Sequence, residues 1–302
     1  MATLRGNLPE VYEARMAELF FKRLTMEPLI YPRVANVKPS SKAYEDAFRV
    51  SGLGTFQLKP EGTPIPFDDP VQGDRVRIIH DTYALGFRVT MEAREDAQYN
   101  VISDMPADLG DSGRDHQENV FWTVFNNGAT TVTALDAVAF FAATHAALKP
   151  KNPLVNAQSN ILVPGVALST VGLEAMHQNL RMTLSEEDRQ VPMKMTQLLV
   201  HPANYYEATR LLESTQAPGS GDNDINVMNR FGIELIDVPY LTDEDNYFGG
   251  TEKSRHGVVY HNRKELTFNS GKDTVTMDDM FTAHYRASVG VRDWRGWVSS
   301  GL

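Results

Sequence analysis

Residues 48–91 read FRVSGLGTFQLKPEGTPIPFDDPVQGDRVRIIHDTYALGFRVTM, and they are the most informative stretch of this sequence. The central part, KPEGTPIPFDDPVQGD, is polar and holds Pro60, Pro64, Pro66 and Pro70. Apolar residues then alternate with others from Tyr83 to Met91, as in a strand with one buried face. The pattern predicts a long β-hairpin whose tip cannot form its own core, so it projects and finds burial on a neighbour. A surface loop of a β domain is the alternative.

The residues before the hairpin start with a helical pattern. Apolar side chains recur there at Val11, Met16, Leu19, Phe20 and Leu24. A polar stretch punctuated by Pro28, Pro32 and Pro39 follows. This segment is either an arm with one helix and an extended tail, or a helix packed on its own domain.

The residues after the hairpin mix helices and strands. A helix is predicted over residues 92–125, with a capping box at Ser112 and Asp115 and a stop at residues 126–128. Further helices are predicted after the cap Ser169 and over 202–214, and strands over 196–200, 232–238, 257–261, 265–268 and 283–291. A flexible polar loop separates the 202–214 helix from the 232–238 strand. Because the elements lack a βαβ rhythm, the sequence favours an α+β fold.

The composition excludes several classes of protein. The chain has 302 residues, a formal net charge of −10 and no cysteine. Disulfides and thiolate chemistry are therefore excluded, and a protein built to grip phosphate backbones is disfavoured. No run approaches the roughly 20 apolar residues of a membrane span, and the first residues lack the apolar part of a signal peptide, so we expect the protein to stay where it is made.

The sequence contains no pattern that points to catalysis. The eight histidines are scattered, and the only close pair, His256 and His261, matches no zinc signature. The TDEDNYFGG segment lacks the closing glutamate of a calcium loop, and SGLGTF lacks the third glycine and the lysine of a phosphate loop. We predict no catalytic residues, no metal and no cofactor. A hydrolase that uses scattered Ser, His and Asp residues is the alternative from another class.

Several segments occur in the order seen in a known family. They are LDAVAFFAATHAALKPKNPLVNAQSN (135–160), a Leu168–Ser169 helix start, LLVHPANYYEATRLLEST (198–215), NVMNRFGIEL (226–235), VPYLTDEDNYF (238–248) and HYRASVGVRDWRGWVSSG (284–301). Together they resemble the major capsid proteins of tailed bacteriophages, which have the Hong Kong 97 fold. The resemblance covers about residues 40–302. It departs from the family where Lys-Pro-Lys around Pro150 replaces a glycine-rich turn.

The resemblance implies an α+β capsid fold with named parts. They are an N-arm (1–47), an extended β-hairpin loop (48–92), a peripheral domain with a long spine helix near 104–125 (93–161), an axial domain (162–250), return strands of the peripheral domain (251–292) and a terminal segment to the axial domain (293–302). Some relatives carry a scaffolding domain before the N-arm. The segment here is too short for one, so the chain is expected to use either a separate scaffold protein or none.

The resemblance also implies a function. The chain is expected to form hexamers and pentamers of an icosahedral virion shell around double-stranded DNA, without sequence-specific binding, after synthesis in the cytoplasm of a host bacterium. Expected partners are a scaffold, a portal and decoration proteins, and no membrane. An encapsulin-like compartment that encloses a cargo enzyme is the alternative. The hairpin residues expected to contact neighbouring subunits are Phe56, Leu58, Lys59, Ile65, Phe67, Asp68, Asp69, Arg75 and Arg77.

Lys59 occupies a position similar to the hairpin lysine that the type member of the family joins covalently to an asparagine of a neighbour. No local motif supports that chemistry in this chain. We therefore predict that the shell has no such crosslink.

Overall fold

The computed structural model describes residues 9–95, 99–150, 157–216 and 225–301. Over these residues the helices are α1 (Pro9–Leu24), α2 (Tyr31–Val34), α3 (Met91–Glu95), α4 (Tyr99–Asn126), α5 (Thr170–Arg181) and α6 (Tyr205–Glu213). The strands are β1 (Asn36–Pro39), β2 (Tyr44–Val50), β3 (Gln72–Ile79), β4 (Asp81–Val89), β5 (His145–Ala146), β6 (Ala157–Gln158), β7 (Gln197–Val200), β8 (Glu234–Asp237), β9 (Phe248–Gly250), β10 (Val258–Lys272), β11 (Asp279–Val291) and β12 (Trp297–Ser299). In this part of the chain no helix is long and apolar enough to cross a bilayer.

One sheet is long and has the strand order β1, β10, β11, β4. Its central strands, β10 and β11, span 15 and 13 residues and pair antiparallel. The strands predicted at 257–261 and 265–268 are parts of the single strand β10. Register shifts between Asn262 and Thr267 interrupt its alternation, which explains why the sequence pattern breaks there.

The long helix α4 packs beside this sheet. The prediction of a helix near 104–125 is confirmed, and α4 begins earlier, at Tyr99, with Pro106 inside it. The predicted start at Ser112 and Asp115 is wrong, because both residues lie within the continuous helix. The helical turn before Ser112 already buries Leu109 against Phe20. The buried face of the helix therefore begins before Ser112 and Asp115.

The helix α1 lies against α4 within the same chain. Met16 and Phe20 are buried, and Phe20 packs with Leu109 of α4 and Ala283 of β11. Arg23 and Asp111 form an ion pair of 2.6 Å between the two helices. In the single chain, α1 is therefore a helix packed on its own domain, which is the second of the two possibilities for this segment. The side chain of Val11 lies outside the described side chains.

A second, short sheet has the order β12, β9, β7, β8. The helices α5 and α6 contribute Leu173, Met176, Leu180, Ala208, Leu211 and Leu212 to its core. The predicted cap is confirmed, because the Ser169 hydroxyl accepts the Gly172 N–H at 3.2 Å. The polar loop predicted between residues 216 and 226 lies almost entirely outside the described residues, as does part of the Lys-Pro-Lys turn.

An aromatic core joins the two sheets. It includes Phe125 of α4, Phe248 and Trp297 of the short sheet, and Tyr260 and Tyr285 of the long sheet, all nearly inaccessible to solvent. The rings of Phe125 and Trp297 meet edge to face with centroids 5.0 Å apart. Such pairs add to the free energy gained from burying their area.

The predicted hairpin is real but pairs differently from the prediction. Its two strands are β2 and β3, which are antiparallel, with Tyr44 opposite Ile79 and Phe48 opposite Arg75. The alternating run from Tyr83 belongs instead to β4, which pairs with β11 in the long sheet. Alternation shows that a strand has one buried face but does not identify its partner. We call β2, β3 and the connecting residues 51–71 the hairpin, and residues 51–71 its tip.

Candidate inter-subunit surface

The hairpin tip exposes large apolar side chains. Phe56 and Phe67 are fully or nearly fully exposed, at 108% and 93% of their reference areas, and Leu58 and Ile65 are exposed at 93% and 64%. The four prolines of the tip lack the N–H donors that a regular strand ladder needs. The tip therefore has neither a ladder nor a core. Several large apolar side chains exposed within one short segment are typical of interaction sites in soluble proteins.

Arg77 is bound within the hairpin. Its guanidinium donates to both carboxylate oxygens of Asp46 on the opposite strand, at 2.8 and 3.1 Å. The same group lies 3.7 Å from the ring centroid of Tyr44. The hydrogen bond from Arg77 is the main cause that lowers the pKa of Asp46 below its ordinary value. In the single chain, Arg77 therefore stabilises the hairpin itself.

Asp68 is bound within the chain as well. Its carboxylate accepts a hydrogen bond from the ammonium of Lys149 and one of 2.7 Å from the Gly54 N–H. The bond from Lys149, followed by that from Gly54, lowers the pKa of Asp68 below its ordinary value. Lys149 also pairs with Glu187 at 3.2 Å. These contacts join the two sides of the tip to the rest of the chain outside the hairpin, which we call the body.

Three other charged residues that were predicted to contact neighbours have exposed side chains. Within the described residues, no hydrogen bond or ion pair involves the side chains of Lys59, Asp69 and Arg75. Arg75 lies on β3 opposite Phe48, and Asp69 lies in the tip beside Asp68. Among the predicted charges of the hairpin, these three are available to a second molecule without breaking an internal contact.

Glu186 connects the first hairpin strand to the body. Its carboxylate accepts hydrogen bonds from Arg49 Nε and Nη2 at 3.1 and 2.7 Å, from Arg295 Nη1 at 2.9 Å and from the Leu148 N–H at 2.9 Å. Burial by itself would raise the pKa of Glu186. The bond from Arg49 and the charge of Arg295 oppose burial and hold that pKa below its ordinary value. Sequence analysis missed this contact because its members are far apart in the chain.

The second hairpin strand meets the long sheet at His80. This residue is 3% exposed and is the single residue between β3 and β4. Its Nδ1 atom lies 2.8 Å from the Ser288 hydroxyl of β11. Burial, followed by the nearby charge of Arg286, lowers the pKa of His80 below 6.5.

The Thr-His and Gln-Ser-Asn motifs of the sequence come together in the structure. Nδ1 of His145 lies 2.6 Å from Asp136 and Nε2 lies 3.1 Å from Asn160 Oδ1, while the ring stacks on Trp294 at 4.3 Å. The Asn160 amide donates to Phe140 O at 2.7 Å. Burial would raise the pKa of Asp136, but the bond from His145 lowers it below its ordinary value. These motif residues are therefore structural.

No group of three or more His, Asp or Glu residues in the described ranges is arranged to hold a metal ion. A cavity of about 180 Å³ lies beside the end of β2 that leads into the tip, and Arg49, Asp136, Glu186 and Arg295 are among its lining residues. The ionised groups there are already paired with one another.

The phage capsid protein family matches residues 75–300 of this chain, which is most of its length. The chain belongs to this phage capsid protein family. The predicted relationship to tailed-phage capsid proteins is confirmed. No curated protein matches the sequence significantly.

Solved structures show the fold of this capsid protein. The capsid of a native GTA particle has a TM-score of 0.58 and 11% identity, and the match covers 89% of this chain and 88% of that chain. A virus-like particle from Pyrococcus furiosus has a TM-score of 0.55 and 9% identity, with coverage of 95% and 98%. The holo-SrpI encapsulin complex from Synechococcus elongatus has a TM-score of 0.52 and 12% identity, with coverage of 91% and 87%.

The predicted α+β capsid fold of the Hong Kong 97 type is thereby confirmed. The family is structural, so this chain is a major capsid protein, a component of the virion and not an enzyme. The fold alone does not separate phage capsids from encapsulins, because both are among the similar structures. The family match favours the phage capsid.

Proposed function

We propose that copies of this capsid protein form the hexamers and pentamers of an icosahedral shell around the double-stranded DNA of a tailed phage. A separate scaffold protein, a portal and decoration proteins are the proposed partners. The long sheet with α4 would act as the peripheral domain and the short sheet as the axial domain. Synthesis would take place in the cytoplasm of the host bacterium.

The main support for this proposal is that a member of the capsid family exposes large apolar side chains at the hairpin tip. Burying Phe56, Leu58, Ile65 and Phe67 on a neighbour gains about 1.5 to 3 kcal/mol for each side chain. Association costs offset much of this gain for a single contact. A closed shell repeats the contact for every subunit, so modest contacts are sufficient.

The charges of the hairpin have two proposed roles. Asp69, Arg75 and Lys59 are free to pair with a neighbouring subunit, because no internal partner would have to be displaced. Asp68 and Arg77 have internal partners, and we propose that their first role is to hold the hairpin in shape for that contact. Any pairing of these two residues across subunits would come in addition to their internal bonds.

The test compares assembly of two variants with that of the wild-type protein. The double variant Phe56→Ser/Leu58→Ser should remain as subunits or small oligomers in sedimentation and electron microscopy, with an unchanged unfolding midpoint. Val171→Ser removes another exposed apolar side chain, from α5, and should assemble like the wild type. Normal shells from the double variant would refute the role of the tip.

A second candidate function is supported by the similarity to the encapsulin complex. A compartment of that kind encloses protein cargo, whereas a phage head encloses long DNA. Particles isolated from the native source should therefore contain long double-stranded DNA and no stoichiometric cargo enzyme. The opposite contents would favour the compartment.

We also propose that the shell has no covalent crosslink through Lys59. Assembled particles that are denatured and run on a gel should give a single band at the subunit mass. A ladder of covalent oligomers that disappears in Lys59→Arg would contradict this proposal.

A further inference from the structure

We infer that Glu186 is a positioning residue that holds the tip end of β2 on the body, and so fixes where the tip meets a neighbouring copy. This inference rests on the proposed role of the hairpin in assembly. Glu186 lies on the body and has no expected contact with the neighbour, so it would act through Arg49.

The first step of the argument is the way one carboxylate joins three segments. Oε1 of Glu186 accepts from Arg49 Nε and from Arg295 Nη1, and Oε2 accepts from Arg49 Nη2 and from the Leu148 N–H. Arg49 belongs to β2, whereas Leu148 follows β5 and Arg295 lies between β11 and β12. A single side chain therefore connects the hairpin to two separate parts of the body.

The second step is the directionality of this contact. Arg49 binds Glu186 through two nitrogens, and a bidentate arginine–carboxylate pair fixes the orientation of the two groups as well as their distance. The side chains of Arg49, Glu186 and Arg295 are only 9%, 11% and 8% exposed. Little water or salt can therefore screen the pair, unlike an ion pair at the surface. Removing Glu186 would leave the Arg49 guanidinium buried without a carboxylate partner in the described part of the chain.

The third step is the rigidity of the turn that carries Glu186. Leu184 and Gln190 form a β-bridge across this turn, and the Ser185 N–H donates to Arg189 O at 2.7 Å. Arg295 Nε donates to Leu184 O at 2.7 Å, and the Lys149 N–H donates to Glu186 O at 3.0 Å. The backbone of Glu186 is thus held from both sides, which a positioning residue requires.

The fourth step is the weakness of the other polar ties on this side of the hairpin. Arg49 Nη2 also donates to Ala146 O, but a single bond to a neutral carbonyl lacks the charge and the bidentate geometry of the pair with Glu186. The pair between Lys149 and Asp68 is 39% and 38% exposed, so solvent and salt screen it. A cavity of about 180 Å³ lies where Phe48, Arg49 and Val50 face the body, which leaves room for this end of β2 to move when Glu186 is replaced.

The test uses Glu186→Gln in the full-length protein, with Glu174→Gln, at an exposed position of α5, as the control. Hydrogen exchange is followed in the strands of the hairpin and in the long sheet, and assembly is followed by electron microscopy. In Glu186→Gln we expect at least about tenfold faster exchange in β2 and β3, unchanged exchange in β10 and β11, and loss of uniform shells. In Glu174→Gln we expect wild-type exchange at β2 and uniform shells.

The exchange readout separates this inference from the proposed function. Unchanged exchange of the hairpin amides in Glu186→Gln would overturn the inference, whether or not the tip drives assembly. Faster exchange with shells of normal shape would also overturn it, because position would then not matter. If Glu186→Gln does not fold, Arg49→Lys keeps the charge but loses the two-pronged geometry, and the same two comparisons apply to it.

Discussion

The Nε2 atom of His80 lies 3.0 Å from the hydroxyl oxygen of Ser40. Ser40 directly follows β1, and His80 separates β3 from β4, so this contact joins the points where the chain enters and leaves the hairpin. The other ring nitrogen of His80 meets Ser288 of β11. We call these three residues the histidine clamp, since they hold the base of the hairpin on the long sheet.

Removing one hydroxyl of the clamp should destabilise the protein. Ser288 is buried, and Ser288→Ala leaves a buried ring nitrogen of His80 without its partner. We expect the free energy of unfolding to fall by about 1 to 3 kcal/mol in urea titration. Ser254→Ala removes an exposed hydroxyl and should change it by less than about 0.5 kcal/mol. Equal effects of the two variants would show that the clamp adds no stability.

Stability should fall in mild acid because of buried histidines. Burial lowers the pKa of His261 from 6.5 to about 4, with Arg292 acting in the same direction, and burial likewise lowers the pKa of His256 to about 4. In the folded protein these rings stay neutral while the unfolded chain takes up protons. These two histidines therefore do not reduce the free energy of unfolding above about pH 7. They reduce it progressively as the pH falls from about 6.5 towards 4.

The measurement is the free energy of unfolding at pH 7 and pH 5. His261→Asn removes one of the titrating groups, so the difference between the two pH values should shrink by about 1 to 2 kcal/mol. Carboxylates with lowered pKa values, such as Glu186, are protonated only at lower pH. The stability that they provide therefore changes little between pH 7 and pH 5. An undiminished difference in the variant would mean that His261 is not the source.

Truncating Glu118 should loosen the connection between α4 and α2. This buried carboxylate accepts the N–H groups of Ile30 and Tyr31 and the indole N–H of Trp122, the last at 2.8 Å. Glu118→Ala leaves these donors unsatisfied and should cost about 2 to 4 kcal/mol of unfolding free energy. Glu207→Ala, at an exposed site of α6, should cost less than about 0.5 kcal/mol. A small loss in Glu118→Ala would indicate that water replaces the carboxylate.

Reversing the charge of Arg75 should impair assembly without affecting folding. Its side chain forms no hydrogen bond or ion pair in the described part of the chain and acts on Asp46 only through its charge, so Arg75→Glu should change the unfolding midpoint little. The amount of shells in sedimentation should fall, and high salt should reduce the difference from wild type. Lys272→Glu makes the same charge change at another exposed position and should assemble normally. Normal assembly of Arg75→Glu would remove this residue from the contact.

The sequence predicts those parts of the fold that depend on local patterns. Ser169 begins a helix because its hydroxyl caps the N–H groups next to it, and a cap of this kind can be recognised within four residues. The exposure of Phe56 and Phe67 was also predictable, because prolines around them prevent a regular ladder. The pairing of β4 with β11 was not predictable in this way, since about 200 residues separate the partners.

The contacts that hold the hairpin depend on residues distant in sequence. Glu186 is 137 residues from Arg49 and 109 residues from Arg295 in the sequence, and no local spacing marks the three residues. The polar pair Ser112 and Asp115 shows the opposite error. Its local pattern resembles a cap, yet the helix continues through it because the preceding turn buries Leu109. Burial against distant residues outweighs such local signals.

The separate pairing of β2 and β3 makes the hairpin a lever. The strand β3 has eight residues, so it is about 26 Å long. If the bond from Arg49 to Glu186 were lost, a rotation of about 10° at His80 would move the far end of the strand by about 4 to 5 Å, which exceeds the range of a van der Waals contact. Small differences in the angle of the strands would thus place the tip on different residues of the adjacent molecule. The local curvature of the shell would then be set by the polar contacts that hold the hairpin strands at His80 and at Arg49.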